Sequence, residues 1–253
     1  MDKDKSLIVS EGTRALARVG QHIGLVDKVL NVREDAFLKP KQIVLRCETL
    51  YGFEDFIVDV DITELDLSEK KITKLPTEIG QLLSLVYLNL FDNPLICLPD
   101  EIWCLINLSK LNLSSIGLIT LPPDIWQLIN LTSLYLGGNK LTTLPIEIWQ
   151  LTTLTELFLL YNEIQTLPSE IGQLKNLKEL DLSNNQLVNL PKEISNLISL
   201  SELDLWSNQL TSLPIEIGKL KNLETLKLES NPIGNEAKVK IRQLLPNCHI
   251  EYN

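Results

Sequence analysis

Gly137-Gly138-Asn139-Lys140, within LYLGGNKLTTLP (134–145), is the stretch of this chain that most invites a chemical reading. Adjacent glycines followed by an amide and a lysine suggest a loop that cradles a phosphate. A column of acids at constant interval, Glu78, Glu101, Asp124, Glu147, Glu170, Glu193 and Glu216, suggests paired carboxylates for acid–base work. His22 and His249, with Cys47, Cys97, Cys104 and Cys248, are the other candidate ligands or nucleophiles. Context removes each of them. No Lys-Ser/Thr follows the glycines to open a phosphate-binding helix. The histidines lie far apart, and the cysteines lack Cys-x-x-Cys spacing. The expectation is a chain with no catalytic residues, metal site or cofactor, whose cysteines are buried free thiols in a reducing compartment.

The element that positions all these residues is a repeat. Shifted by 23 residues, the chain lands on itself: LTSLYLGGNKLTTLPIEIWQLTT (131–153), LTELFLLYNEIQTLPSEIGQLKN (154–176), LKELDLSNNQLVNLPKEISNLIS (177–199) and LSELDLWSNQLTSLPIEIGKLKN (200–222). Upstream units begin at Ile62, Leu85 and Leu108, and a partial eighth, LETLKLESNPIG, begins at Leu223. Leu-Pro recurs at one spacing throughout. The pattern resembles the leucine-rich repeat family in its 23-residue form with LPxEIxxL endings, common in bacterial repeat proteins and intracellular Ras-associated scaffolds. The resemblance covers about residues 62–250 and implies an α/β solenoid. In that fold a right-handed horseshoe arc carries a parallel β-sheet on its concave side and short helical or 3-10 segments on its convex side. The resemblance also implies a binding scaffold, not an enzyme.

Elementary geometry leads to the same arrangement. In L-x-x-L-x-L the leucines of a short strand point inward and their neighbours outward. The asparagine that follows (Asn93, Asn139, Asn162, Asn185, Asn208, Asn231) suits a turn, where its amide bonds freed backbone groups; stacked, these amides predict a buried ladder. Lys70 and Ile116 break the column, and irregularity is expected at Ile116. After Leu-Pro a short helical segment is expected with proline at its first position. The acid two residues later then faces the positive end of the helix dipole, which accounts for the acid column without catalysis.

Three segments follow from this. Residues 62–234 form the solenoid. Residues 235–253 cap it, with Asn235 starting a helix that folds Val239, Ile241 and Leu244–Leu245 back on the last unit, Pro246 ending it, and His249–Tyr252 adding a strand. Residues 1–61 lie outside the repeat: apolar spacing predicts an amphipathic helix from about 12 to 31, then KQIVLRC and DFIVDVD as strands joined by ETLYGFE. They read as an N-terminal cap or, given a net charge of +3 over residues 1–46, as a docking or self-association segment.

Function should sit on outward strand positions, which have no core duty. The third, fifth, seventh and eighth residues of the units include ten acids and only two bases, Lys110 and Lys227. Glu156, Glu179 and Glu202 share a column, with Asp181 and Asp204 beside them. Tyr87, Phe91, Tyr135, Phe158, Leu160, Tyr161 and Trp206 occupy the same face, where tyrosine and tryptophan are typical anchors of protein interfaces. Gly137 and Gly138, between larger neighbours, predict a notch that receives a partner's side chain. Trp103, Trp126 and Trp149 recur at one convex position and predict a stacked apolar ridge, a possible self-association surface.

The net charge of −10 argues against nucleic acid and anionic membranes as partners. No apolar run is long enough to span a bilayer, and MDKDKSLIVSEG makes a poor signal peptide, so a cytoplasmic protein is expected. The functional expectation is a non-enzymatic module that binds a protein or peptide with a basic patch on an acidic, aromatic-studded concave face. The alternatives are an inhibitor or secreted effector that masks a basic protein, exported without a cleavable leader, and a surface adhesin.

Overall fold

The computed structural model describes residues 41–252. The helix expected near 12–31 lies outside the described residues. Each unit contributes a three-residue strand whose central leucine is buried, and these strands stack in parallel, in register, into a nine-stranded sheet. In chain order they are β3 (Glu64–Asp66), β5 (Tyr87–Asn89), β6 (Lys110–Asn112), β7 (Ser133–Tyr135), β8 (Glu156–Phe158), β9 (Glu179–Asp181), β10 (Glu202–Asp204), β11 (Thr225–Lys227) and β12 (His249–Glu251). Leu65, Leu88, Leu111, Leu134, Leu157, Leu180, Leu203 and Leu226 form one unbroken inward row, closed by Ile250. Each such leucine is worth about 2 kcal/mol of apolar burial, so the core grows by equal increments along the stack.

The asparagine ladder sits behind the strands. Asn162 is typical: its Nδ2 donates to Leu136 O (2.9 Å) in the preceding unit and to Leu159 O (3.0 Å) in its own, while its Oδ1 accepts from Leu141 N (3.0 Å). Asn185, Asn208 and Asn231 repeat this pattern. Ile116, fully buried, supplies no rung, and Leu95 N turns instead to Asn93 O at 2.8 Å. The next amide, Asn139, compensates by accepting from both Ile116 N and Leu118 N (3.2 and 3.0 Å), around Gly117 at φ +84°. The expected irregularity is a one-rung gap.

On the side away from the sheet, every full unit makes a five-residue 3-10 turn, from Thr77–Gln81 in the first to Ile215–Lys219 in the seventh. Proline lies one place earlier than expected: Pro76, Pro99, Pro122, Pro145, Pro168, Pro191 and Pro214 are extended N-caps, and only Pro123 enters a first turn. The acid column does occupy the first turns, beside the unsatisfied N–H groups.

The tryptophan ridge does not form. Trp103 and Trp149 are buried at 2% and 0% exposure, whereas Trp126 points outward at 46%. Elsewhere this position is Gly80, Gly172, Ser195 or Gly218, and a Cβ on Gly80 would lie 2.7 Å from Glu101 Cβ. The turns are that close because nothing larger separates them. A buried indole needs more room, and the turns that follow Trp103 and Trp149 pack less closely than the others. Trp126 avoids the wedge by turning out. A shared column fixes the row of a side chain but not its rotamer.

Before the solenoid, β1 (Gln42–Thr49) and β2 (Gly52–Asp59) form an antiparallel hairpin. β1 also pairs antiparallel with β4 (Ile72–Lys74) of the first unit, and Leu45 and Cys47 are fully buried in the common core. At the far end α1 (Asn235–Leu244) begins after Gly234, and Asn235 makes no capping bond. Ile241 and Leu245 are buried while Val239 is exposed at 60%, so Val239 is not one of the residues folded inward. Arg242 donates to Cys248 O (3.0 Å) and Ile250 O (3.4 Å) along the edge of β12. Of the four cysteines only Cys47 and Cys248 are buried; Cys104 is half-buried and Cys97 exposed, contrary to the expectation of buried thiols throughout.

Candidate functional site: the concave sheet

Strand registration puts the outward residues of successive units directly beside one another. One row runs Glu64, Tyr87, Lys110, Ser133, Glu156, Glu179, Glu202 and Thr225; the next runs Asp66, Asn89, Asn112, Tyr135, Phe158, Asp181, Asp204 and Lys227. Tyr135 and Phe158 are stacked, with ring centroids 4.8 Å apart and planes within 4°. The Tyr135 hydroxyl donates to Glu156 Oε2 at 3.3 Å. Burial, with the Glu156 carboxylate beside it, raises the Tyr135 pKa.

The second row has a structural task that composition does not reveal. Asp66, Asn89, Asn112, Asp181 and Asp204 each accept, through Oδ1, the backbone N–H two residues further on, at 2.8–3.1 Å. These are Asx turns that satisfy the chain where it leaves the strand. Asp66, Asp181 and Asp204 thus serve the fold as well as the surface charge. Tyr135 and Phe158 stand in this row without such a bond, so these two units give up a turn hydrogen bond and present half-exposed rings instead.

Glu156, Glu179 and Glu202 have no comparable backbone role. Burial raises the Glu179 pKa first, and the neighbouring Glu202 and Glu156 charges raise it further. Burial also raises Asp181, against the opposing bonds from Ser183. The acidic columns are not free along their whole length. Lys227 Nζ lies 3.2 Å from Glu202 Oε1 and 3.1 Å from Asp204 Oδ2; burial lowers its pKa, but the two carboxylates together outweigh burial and raise it. Glu156, Glu179 and Asp181 form no ion pair among the described residues, although Lys227 eases Glu179 and Asp181 from a distance.

Beyond the strands, the eighth position of every unit is left-handed: Glu69, Asp92, Ser115, Tyr161, Asn184, Ser207 and Ser230 have φ between 51° and 60°, and Gly138 has +66°. Gly138 is therefore suited to its backbone, and Tyr161 is not. A bulky left-handed residue carries strain, yet Tyr161 keeps 56% of its surface exposed. The notch expected at Gly137 is absent. Gly137 is buried, and a Cβ there would meet Leu160 Cδ2 at 2.7 Å: the leucine of the next unit already lies over the glycine. Tyr87 and Phe91 are half-buried at the near end of the face, and Trp206 is exposed at 38% at the far end. The structure thus gathers Tyr135, Glu156, Phe158, Leu160, Tyr161, Glu179 and Asp181 in the middle. Among the described residues no group of three or more His, Cys, Asp or Glu side chains could hold a metal ion, and no helix is long and apolar enough to cross a membrane.

Comparisons with known proteins agree with this architecture. A Leptospira interrogans LRR protein aligns over 71% of this chain and 52% of its own, with 44% identity and TM-score 0.60. The plant peptide hormone receptor RGFR1, solved in complex with RGF2, aligns over 78% of this chain and 33% of its own, with 31% identity and TM-score 0.64. Internalin C2 of Listeria monocytogenes aligns over 78% and 85%, with 25% identity and TM-score 0.69. The chain thus spans about half the Leptospira protein and a third of the plant receptor. No curated protein sequence matches it. The leucine rich repeat profile matches residues 106–164, 129–187 and 175–233. Proteins of this kind generally mediate protein–protein interaction and typically act as non-enzymatic scaffolds. With the stacked parallel strands, the 3-10 turns and these matches, the chain belongs to the leucine-rich repeat family.

Proposed function

We propose that this protein is a non-enzymatic interaction module that binds another protein on the middle of its concave sheet. The observation that carries this reading is the Tyr135–Phe158 stack, which replaces two turn-forming residues with half-exposed rings and adds nothing to the leucine core. Tyr161 supports it, since a strained, exposed ring is retained where glycine would cost less. Flanking carboxylates at Glu156, Glu179 and Asp181 favour a partner with basic side chains. An inhibitor that masks a basic protein would use the same acids, but its binding would collapse in high salt, whereas an aromatic-led contact would not.

A protein array probed with the wild type and with the Tyr135→Ala/Phe158→Ala/Trp206→Ala variant tests the reading. Binding to a reproducible target should fall by tenfold or more in the variant, with thermal unfolding little changed. Equal binding by both proteins would remove the concave face from consideration.

A further inference from the structure

The two lysines of the sheet are in opposite situations. Lys227 is held by two carboxylates. The Lys110 ammonium makes no hydrogen bond or ion pair among the described residues and the residue is exposed, although the protein carries ten more acids than bases. Its neighbours on the adjoining strands, Tyr87 and Ser133, are neutral. The nearest carboxylates in its own row, Glu64 and Glu156, lie two strands away on either side, about 9.6 Å at ordinary strand spacing. Lys110 stands in a groove of about 570 Å³ whose wall also includes Tyr87, Asn112 and Tyr135, with the Glu64 carboxylate at its far side. The ammonium, the Tyr87 hydroxyl and the Asn112 amide offer donors to a carboxylate, while the Tyr135 hydroxyl is already given to Glu156.

We propose that the concave sheet binds an extended peptide segment that places a carboxylate on Lys110, a basic side chain on Glu179 and Asp181, and an apolar side chain between them over the Tyr135–Phe158 stack. This rests on the reading of the concave face as a protein-binding surface and specifies its ligand. The spacing follows from two standard lengths. Lys110 and Glu179 are three strands apart in one row, about 14 Å. An extended peptide advances about 3.4 Å per residue and turns alternate side chains to one face, so residues i, i+2 and i+4 face the sheet across about 14 Å. With i on Lys110 and i+4 on Glu179, i+2 falls over β7 and β8, where the two rings are stacked. The acidic columns alone would favour any cation. The unpaired lysine at this interval favours a ligand of both signs.

Calorimetric titration at low ionic strength, with blocked peptides as probes, tests this on the full chain. Asp-Ala-Phe-Ala-Arg and its reverse, Arg-Ala-Phe-Ala-Asp, cover both chain directions; Ala-Ala-Phe-Ala-Arg lacks the acid, and Asp-Phe-Arg shortens the interval. The better of the first two should bind at least tenfold tighter than either control. Lys110→Glu should abolish that preference and make Arg-Ala-Phe-Ala-Arg the tightest ligand. Equal affinity for the acid-free peptide, an unchanged preference in Lys110→Glu, or no binding of any peptide to the wild type overturns the proposal. If the acid-free peptide binds equally well and its binding is lost in Tyr135→Ala/Phe158→Ala, only the two-sign ligand fails and the protein-binding reading stands.

Discussion

In residues 154–222 the corresponding places of each unit are filled alike: glutamate on the sheet (Glu156, Glu179, Glu202), asparagine in the ladder (Asn162, Asn185, Asn208) and a small residue between the 3-10 turns (Gly172, Ser195, Gly218). In residues 85–153 the same places hold Tyr87, Lys110 and Ser133, then Asn93, Ile116 and Asn139, then Trp103, Trp126 and Trp149. Both stretches keep the 23-residue period and the same strand register. The period is therefore maintained by the leucines, the Leu-Pro step and the acid and isoleucine of each 3-10 turn, and these three columns are free to vary. In residues 85–153 that freedom is used at a cost: a ladder rung is missing, and the Nε1 atoms of Trp103 and Trp149 are buried without an acceptor among the described residues. Departures from local rules tend to collect where a protein is used. The changed stretch contains Lys110 and Tyr135 and adjoins Phe158, so it borders the candidate site, whose remaining residues Glu156, Leu160, Tyr161, Glu179 and Asp181 lie in the regular stretch.

The two stretches differ most in their tryptophans. If Trp149 is a wedge in the core and Trp126 is not, Trp149→Ala should cost about 3–5 kcal/mol through the cavity it leaves, while Trp126→Ala stays within about 0.5 kcal/mol. Urea unfolding of both variants measures this. Similar losses would restore the equivalence that their shared column suggests.

Next in size is the ladder. Asn185→Ala leaves the buried N–H of Ile164 and carbonyls of Leu159 and Leu182 without their amide, an expected loss of about 2–3 kcal/mol. Ile116→Asn tests the converse. Leu95 N already has Asn93 O, so a restored rung exchanges apolar burial for a hydrogen bond and should change stability by no more than about 1 kcal/mol. A large gain would mean that the gap is a defect that the neighbouring units do not absorb.

How much of this was legible in the sequence depends on the kind of information a period carries. Rows were legible: Asn112, Tyr135, Phe158, Asp181 and Asp204 are neighbours because equal units stack. The two strands of the hairpin and the closing strand at 249–251 were legible, but the hairpin strands run through most of ETLYGFE and leave only Leu50–Tyr51 as the turn. Directions within a row were not legible. Leu160 reaches back over Gly137, Lys227 reaches toward β10, and two indoles turn inward while one turns out, because long side chains choose among rotamers by packing that a spacing rule does not contain. The Asx turns could have been found: Asp or Asn two places beyond the first outward residue recurs in five units, a turn signature rather than a charge pattern.

Tyr161 sharpens the comparison at a smaller scale, because the equivalent position just upstream, Gly138, is already relaxed. Tyr161→Gly should relieve left-handed strain and change stability by about +0.5 to +1 kcal/mol, while weakening any partner that uses the ring. Differential scanning calorimetry reads the first effect and the array signal the second. A loss of stability would make Tyr161 a packing residue and withdraw it from the site.

The smallest expected effect belongs to the like-charged row, which exists only in the regular stretch. Glu179 has its pKa raised above the ordinary value of 4.5, by burial first and then by Glu202 and Glu156. The folded state therefore holds this proton more tightly than the unfolded chain does. Stability contributed by the protonated form is fully present below the unfolded pKa and is lost as pH rises through the folded one; above that window ionised Glu179 is a net cost. Glu179→Gln removes the titration. It should stabilise the protein at pH 7 by about 0.5 kcal/mol, the scale of a cross-strand like-charge contact, and the gain should shrink to nothing as pH falls below 4.5. Added salt should also reduce the share due to Glu202 and Glu156 while leaving the share due to burial. Unfolding midpoints of the two proteins between pH 4 and 8, at low and high salt, separate these contributions. A gain that grows toward low pH has the wrong sign for a raised carboxylate pKa, and the acidic row would then be a solvated face with no stored repulsion for a basic partner to relieve.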